Sequence, residues 1–257
     1  MSALRISSLA VFFTLLAIAA AAQTPLDPDQ PQSIPGMVAG GAMQPVMDQS
    51  IFAHLIFNEL EGRFGGSNPE FRWEGQGWIG TDYDKLWIKS EGTLQGGALE
   101  DGQHQFLYSR AITTYFDLQG GLRSDIDSRP TRNWAAFGIQ GLAPYFFDLE
   151  VTGFVSGQGH LAAKLEASYD LLLTQRLILQ PQIELNVYSK ADPARMVGAG
   201  FADIDTGLRL RYEFSRKFAP YLGVVYEGKF GQTANFARRA GESTGGVRLV
   251  AGVRLWF

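Results

Sequence analysis

The chain has 257 residues, of which 46 % are hydrophobic and 19 % charged, and its formal net charge is −4. It contains no cysteine, which excludes a disulfide framework, a thiolate zinc site and a thiol nucleophile. Its interspersed charges give no basic surface for nucleic acid. A mean hydropathy of −0.05 argues against a bundle of membrane helices. It still allows a membrane β-barrel, in which only every second residue needs to be apolar.

The first 22 residues have the composition of a secretory signal peptide. A single charge, Arg5, precedes the apolar run Leu9–Ala20, and small residues offer a cleavage point before Gln23. The apolar run has only about a dozen residues, whereas a membrane anchor needs roughly 20. We therefore expect residues 1–22 to direct export into a Gram-negative bacterial envelope.

Residues 23–48 form a Pro- and Gly-rich segment that we predict to be a disordered periplasmic tether. Its five prolines are incompatible with a helix or a central strand. The segment also holds three of the five methionines, Met37, Met43 and Met47. Thioether sulfur is a soft ligand that suits Cu(I), so these three residues are candidate copper ligands. The alternative is that they are simply scattered through a flexible tail.

From residue 49 onward, polar and apolar residues alternate, which is the period of a β-strand with two different faces. Within Ala202–Phe214, for example, Arg209 and Arg211 alternate with apolar neighbours. The pattern predicts an all-β fold, a transmembrane antiparallel β-barrel over residues 49–257. We predict about 12 strands, with 10 as the alternative, at residues 51–63, 71–80, 85–92, 104–112, 115–123, 133–142, 145–155, 161–172, 177–188, 202–214, 219–230 and 245–257.

The predicted connections alternate in length. Turns such as Asp82–Asp84 and Thr113–Thr114 are short, whereas Thr93–Gln103, Ser189–Phe201 and Gly231–Thr244 are expected to be long, Gly-containing loops. Outer-membrane barrels show this asymmetry, with short turns on the periplasmic side and long loops outside. An even number of strands also places both ends of the barrel on the periplasmic side.

A secreted β-sandwich is the competing fold, because its strands alternate as well. Three features favour the barrel: charges of both signs on the polar faces, aromatic residues near strand ends, and a final alternating strand that ends in Phe257. Such a final strand looks like the signal read by the outer-membrane barrel assembly machinery. We expect this machinery as a partner, together with outer-membrane lipid.

Seven motifs lie in order along residues 47–257, at Gly75–Gly80, Leu86–Gly92, Leu107–Ile112, Gly138–Tyr145, Leu171–Pro181, Phe218–Tyr221 and Val250–Phe257. Together they resemble the copper resistance protein B family of outer-membrane proteins. The resemblance implies a barrel in the outer membrane with a role in copper resistance, which binds copper ions or moves them across that membrane. A periplasmic copper-binding protein is a further expected partner.

Members of that family often carry a long Met- and His-rich stretch before the barrel, and in this chain the stretch is short. It holds Met37, Met43 and Met47, and the first histidine is His54. His54 lies early in the first predicted strand, near enough to the tether to complete a Met/His copper site. Its parity relative to Glu59, however, predicts that it points outward.

The other two histidines are assigned differently. His104 shares its parity with Arg110, so we predict that it faces the lumen near the outer loops, where it is a further candidate copper ligand. His160 lies between predicted strands and is expected to be a solvated loop residue.

If the polar strand faces point inward, the lumen is densely charged. Mixed charge of this kind either braces a barrel through cross-strand salt bridges or guides a cation along the wall. The predicted luminal residues are Glu59, Glu61, Arg63, Arg72, Glu74, Lys89, Glu91, Arg110, Asp117, Arg123, Glu150, Lys164, Glu166, Glu184, Asp203, Asp205, Arg209, Arg211, Glu213, Glu227, Lys229, Arg248 and Arg254.

We predict that the protein is not an enzyme. The alternatives to copper handling are an outer-membrane hydrolase and a purely structural barrel. A hydrolase needs a nucleophile beside a histidine and an orienting acid. Ser156 and His160 are the one close pair of this kind along the sequence, and no Gly-x-Ser-x-Gly motif contains them.

Overall fold

The computed structural model describes residues 50–66 and 68–257. The predicted signal peptide and the predicted tether, with Met37, Met43 and Met47, lie outside the described residues. The described chain folds into 12 principal strands, which are β1 (Phe52–Phe64), β2 (Glu70–Gly80), β3 (Asp84–Gln95), β4 (Ala98–Ala111), β5 (Phe116–Asp125), β6 (Arg132–Ala143), β7 (Phe147–Ser156), β8 (Leu161–Ser168), β9 (Leu177–Tyr188), β10 (Gly200–Tyr212), β11 (Phe218–Lys229) and β12 (Gly245–Trp256).

The strands close into a barrel. A two-residue strand, Leu171–Leu172, continues β8, since both segments pair with β9. Each strand pairs antiparallel with its neighbour along the chain, and β1 completes the circle by pairing with β12. The predicted antiparallel barrel of about 12 strands is therefore confirmed.

One α-helix, α1 (Gly231–Ala240), follows β11. Among the residues that the structure describes, no helix has the length and apolar character needed to cross a membrane.

The two ends of the barrel differ in their connections. One end, which we call the turn end, carries short connections such as residues 81–83 and 112–115, together with the start of β1 and the end of β12. There Leu55 and Phe257 exchange backbone hydrogen bonds of 3.0 and 2.8 Å. The other end, the loop end, carries longer connections such as residues 189–199. The predicted placement of both strand termini at the same end is thus observed.

Two predicted loops contain more regular structure than expected. Most of Thr93–Gln103 belongs to β3 and β4, which are joined by the turn at Gly96 and Gly97. Both glycines have positive φ, 57° and 82°, and two-residue hairpin turns of this kind favour residues without a Cβ. The predicted loop Gly231–Thr244 contains α1, whose buried Ala234 and Ala237 pack toward the barrel.

The strand faces are arranged inside out relative to a soluble protein. In β10, Arg209 and Arg211 are only 2 % and 1 % exposed, whereas Leu208 and Leu210 are 47 % and 41 % exposed. The same contrast recurs around the barrel, because successive side chains of a strand point to opposite faces. Apolar side chains therefore cover the outer wall and ionic ones line the lumen, as a lipid-facing barrel requires.

A β-bulge in β1 reverses the predicted orientation of His54. Phe57 pairs with Gly75 of β2 and Glu59 pairs with Glu74, so Asn58 is an extra residue in β1. An extra residue exchanges the two faces of the strand on one side of it. His54 consequently pairs with Trp78 on the luminal face of β2, and the prediction that it points outward is wrong.

One side of the lumen is apolar. Leu107, Trp134, Ala136 and Phe154 form a buried cluster inside the wall, with Trp87 packed against it. These side chains fill part of the lumen on the side of β4, β6 and β7.

Candidate functional site

Two cavities in the lumen are lined by residues that the structure describes. The turn-side cavity has a volume of about 340 Å³, and the loop-side cavity has a volume of about 840 Å³. Glu91 and Gln103 line both cavities, so the two spaces approach each other at this level. A continuous route between the two ends of the barrel would have to pass this point.

Both cavities carry more acidic than basic side chains. The acidic residues of the turn-side cavity are Glu59, Glu74, Glu91, Asp148, Glu150, Glu166 and Asp170, against Lys89, Lys164 and Arg254. The acidic residues of the loop-side cavity are Glu70, Glu91, Glu100, Asp101, Asp125, Glu184, Asp192, Asp203, Asp205, Glu227 and Glu242, against Arg63, Arg72, Arg123, Arg129, Lys190, Arg195, Lys229 and Arg248. A lumen with this excess favours cations over anions.

Between the cavities, Glu59, Arg72, Glu91, Lys164 and Glu184 form what we call the central ion network. The Arg72 guanidinium contacts Glu59 at 3.1 Å and Glu184 at 3.0 Å. The Lys164 ammonium contacts Glu91 at 2.6 Å and Glu184 at 3.4 Å. These side chains come from β1, β2, β3, β8 and β9, so the network ties distant strands together across the lumen.

Arg63 extends the network toward the loop end. Its guanidinium donates to Glu61 at 2.8 Å and to both Asp205 and Glu227 at 2.5 Å. Glu61 in turn accepts two bonds from Arg209, at 2.9 and 3.0 Å, and one from the Tyr221 hydroxyl at 2.9 Å. Every one of these groups is hydrogen-bonded, which offsets the cost of removing its charge from bulk water.

Three carboxylates of the lumen are close enough to share a cation. Oxygen atoms of Glu91, Glu166 and Glu184 lie within 4.8 Å of one another. The Lys164 ammonium contacts all three residues and supplies positive charge at this point. An oxygen-only ligand set of this kind suits hard or borderline divalent ions better than Cu(I).

An aromatic cluster surrounds His54 at the turn end of the lumen. The indole Nε1 of Trp256 donates to Nδ1 of His54 at 2.7 Å, and the ring of Trp78 stacks on His54 with centroids 6.1 Å apart. Trp78 also contacts Trp87, and the Lys85 ammonium lies 5.7 Å from the Trp78 ring centroid. A neutral imidazole that accepts at Nδ1 carries its proton on Nε2, so an ion can bind His54 only after Trp256 releases it.

His104 lies on the outside of the barrel, and the prediction that it faces the lumen is wrong. It pairs with Ser90 of β3, and Nδ1 of His104 lies 3.1 Å from the Ser90 hydroxyl. The luminal face of β4 instead carries Gln105, Leu107 and Ser109, all of them buried.

The inclusion of Arg110 among the luminal residues is also wrong, because it is exposed on the outer face with His104. The error has a physical cause. Polar residues occur on both faces of β4, so one charged residue does not identify the luminal face: Arg110 shares the outer face with exposed Phe106 and Tyr108, whereas Gln105 and Ser109 point inward and are buried.

The outer-wall histidine has no catalytic arrangement around it. Ser90 and His104 form a Ser–His pair, and the Trp73 indole donates to the same Ser90 hydroxyl at 3.1 Å. Within the described residues, no carboxylate forms a hydrogen bond with His104 that would orient it as a base. Ser156 and His160, the candidate Ser–His pair of the sequence analysis, are joined by a backbone hydrogen bond in which Ser156 N donates to the His160 carbonyl.

Two features of the lumen escaped the sequence reasoning. The Trp78, Trp87 and Trp256 side chains reach the lumen, whereas the sequence pattern assigns aromatic residues near strand ends, Trp87 among them, to the membrane interface. Met196 lines the loop-side cavity together with His160, although its position in a polar loop gave no reason to select it as a site residue. An available signal was that Met196 is the one methionine after Met47 in the sequence.

The fold and this charged lumen define the class of protein: a porin-like β-barrel with a cation-favouring interior. A solved structure titled NanC porin supports the fold, with a TM-score of 0.52 and 13 % identity over 79 % of this chain and 99 % of that one. The chain belongs to the copper resistance protein B family. Residues 51–257 match the family model described as "Copper resistance protein B precursor (CopB)".

Two relatives support the family assignment. Copper resistance protein B of Escherichia coli is 43 % identical over 212 residues, which cover 82 % of this chain and 72 % of the relative. The copper resistance protein B homolog of Pseudomonas syringae pv. tomato is 40 % identical over 238 residues, covering 93 % of this chain and 81 % of the relative. The resemblance stated from the motifs is thereby confirmed, and it extends over nearly the whole barrel.

Proposed function

We propose that this protein is a non-enzymatic copper-handling barrel of the Gram-negative outer membrane, which binds copper ions at its periplasmic mouth and passes them through the lumen. The turn end faces the periplasm in this proposal, with residues 1–22 removed as a signal peptide and residues 23–48 acting as a periplasmic tether. The observation that carries the proposal is the excess of carboxylates in both cavities of a copper resistance family member.

Copper capture is assigned to Met37, Met43, Met47 and His54. The described chain begins at the turn end, and Met47 precedes His54 by seven residues. At up to roughly 3.6 Å per residue, that length spans about 25 Å, which is enough to bring a thioether to the imidazole. Soft thioethers select Cu(I), and an imidazole accepts either copper oxidation state.

Passage through the barrel requires a change in the central ion network. An incoming cation meets Glu74 and Asp148 in the turn-side cavity and then the three carboxylates around Lys164. It can occupy that position when the Lys164 ammonium moves aside, so positive charge is exchanged rather than added. His104 takes no part in this route because it lies on the outer wall.

The other partners are proposed from the places in the barrel where they would make contact. The strand that ends at Phe257 pairs with β1 at the turn end, where we propose that the barrel assembly machinery reads it. A periplasmic copper-binding protein would deliver or receive copper at the same end. The apolar outer wall is proposed to contact outer-membrane lipid.

A structural barrel is the second candidate function. It is favoured by one observation, namely that the ion pairs of the central ion network cross the lumen and join β2 to β9 and β3 to β8. The two candidates differ in one measurable property, because only a copper-handling barrel binds and conducts copper.

The test measures copper flux into liposomes that carry the purified full-length protein in their membrane and a copper-sensitive dye in their interior. Wild-type protein is expected to raise uptake several-fold over empty liposomes. The Met37→Leu/Met43→Leu/Met47→Leu variant should need a higher copper concentration for half-maximal uptake, because it lacks the capture ligands. A matched control is Gln30→Ala/Gln32→Ala/Gln44→Ala, which changes the same segment without removing a thioether. Absence of both binding and flux in the wild type would leave the structural alternative.

A further inference from the structure

Met196 occupies a position that is unfavourable for its own backbone. Its φ and ψ are 59° and 29°, in the left-handed region, at the C-terminal cap of the 3₁₀ turn Pro193–Arg195. Its backbone N–H donates to the carbonyl of Pro193 at 3.2 Å. Glycine is the usual residue at such a cap, since a Cβ makes this conformation costly. A methionine at this position therefore calls for an explanation from its side chain.

The segment that carries Met196 is held firmly on both sides. The preceding residue, Arg195, is buried and donates to Asp127 and to the Pro130 carbonyl, both at 2.6 Å. The following residue, Val197, forms an antiparallel bridge with Asp192. Asp192 is itself ion-paired with a strand residue, Arg132. These contacts fix the position from which the Met196 side chain meets the loop-side cavity.

His160 lines the same cavity from the neighbouring connection. Its carbonyl accepts from Ser156 N at 2.9 Å, and the next residue, Leu161, donates from its backbone to the Ser189 hydroxyl at 2.9 Å. Ser189 begins the connection that contains Met196. The two loops are therefore tied together, and each supplies one side chain that can bind a soft metal ion.

From this placement we infer that the loop-side cavity holds a second soft-ion site, in which the Met196 thioether and the His160 imidazole bind a monovalent cation of the Cu(I) or Ag(I) type. The inference rests on the proposed function for the identity of the natural ion. Thioether and imidazole prefer soft or borderline ions, whereas the carboxylates of the cavity attract cations without that preference. The site lies at the opposite end of the lumen from the tether methionines, so it would release or collect copper at the outer mouth.

The test is an anaerobic titration of the detergent-solubilised full-length protein with Ag(I) and with Cu(I) against a chromophoric competitor. The starting protein is the Met37→Leu/Met43→Leu/Met47→Leu variant, so that the tether thioethers are absent. We expect it to retain a tightly bound equivalent, and we expect Met196→Leu in that background to weaken this equivalent at least 10-fold. His160→Asn should weaken it as well. Lys190→Gln, which changes the same cavity without removing a soft ligand, is the matched control.

A second substitution separates ligand loss from misfolding. Met196→Gly relieves the backbone strain, so it should raise the denaturant midpoint of the barrel while still weakening the bound equivalent. Unchanged Ag(I) binding in the Met196 variants, or no tight equivalent in the starting protein, would overturn the inference. Its outcome is separable from that of the proposed function, because this titration uses a chain without the tether thioethers, whereas the flux assay compares chains with and without them.

Discussion

At the residue scale, Arg63 is the most connected side chain of the lumen. It is 2 % exposed and contacts Glu59, Glu61, Asp205 and Glu227. Arg63→Met removes a partner that these four carboxylates share, and loss of one member of a buried ion pair costs about 3–5 kcal/mol. We expect the free energy of unfolding of the refolded barrel, measured by guanidinium titration in detergent, to fall by about 3 kcal/mol.

The control for Arg63 is Arg216→Met, in the short connection between β10 and β11, where the side chain is exposed. A surface substitution of this kind changes stability by about 0.5 kcal/mol or less. Equal effects of the two substitutions would show that the Arg63 contacts do not stabilise the barrel.

Also at the residue scale, the hydrogen bond from Trp256 decides whether Nδ1 of His54 is free to bind an ion. Trp256→Phe keeps the ring but removes the donor to His54 Nδ1, and a hydrogen bond of this kind contributes about 0.5–1.5 kcal/mol. If His54 binds copper, the variant should bind it about 2- to 10-fold more tightly, as measured by isothermal titration. Trp78→Phe is the matched control, because the Trp78 ring contacts His54 by stacking. Weaker binding after Trp256→Phe would argue against His54 as a ligand.

At the scale of the element, the bulge in β1 decides which face of the strand carries His54. Deletion of Asn58 restores uninterrupted pairing and should turn residues 52–57 over, so that His54 faces lipid. The chain has no cysteine, so His54→Cys introduces a unique thiol. In liposomes, a water-soluble maleimide should label His54→Cys readily and should label it far more slowly when Asn58 is deleted.

The control for the bulge is Asn58→Ala in the His54→Cys background. It removes the 2.9 Å hydrogen bond from Asn58 to Glu74 but keeps the extra residue. Its labelling should therefore match that of the parent. Fast labelling of the deletion variant would mean that the strand keeps its faces by shifting elsewhere.

At the scale of the whole molecule, the sign of the luminal charge sets ion selectivity. The carboxylates outnumber the basic side chains in both cavities, so a KCl gradient across a planar bilayer should give a reversal potential of a cation-selective pore. Conductance should be low, because the central ion network separates the two cavities. Glu74→Gln/Asp148→Asn removes two carboxylates of the turn-side cavity and should shift the reversal potential toward zero.

The comparison for this prediction is Asp82→Asn, in an exposed turn between β2 and β3. It lowers the net negative charge of the protein without changing the lumen. Anion selectivity of the wild type, or equal shifts from both variants, would contradict a route lined by these carboxylates.

Much of the architecture was predictable because it depends on local repetition. A period of two in polarity, read over each strand, is sufficient to locate the strands and to count about 12 of them. The same alternation placed Arg63, Arg209 and Arg211 in the lumen, where the structure also has them. The strand boundaries and loops were less predictable, as β3 and β4 show, because residues 93–103, where these strands meet, contain Gly96, Gly97 and Gly102 and show little alternation.

The sequence by itself determined that this chain is a β-barrel with an apolar outer wall and an ionic lumen, since the alternation of polar and apolar residues recurs along the strands. Only the tertiary structure decided which charges meet, because Arg63 and Glu227 are separated by 164 residues and come together through barrel closure. It also decided the orientation of His54, through one extra residue in β1. Both depend on contacts between strands, and no local pattern of polarity records those contacts.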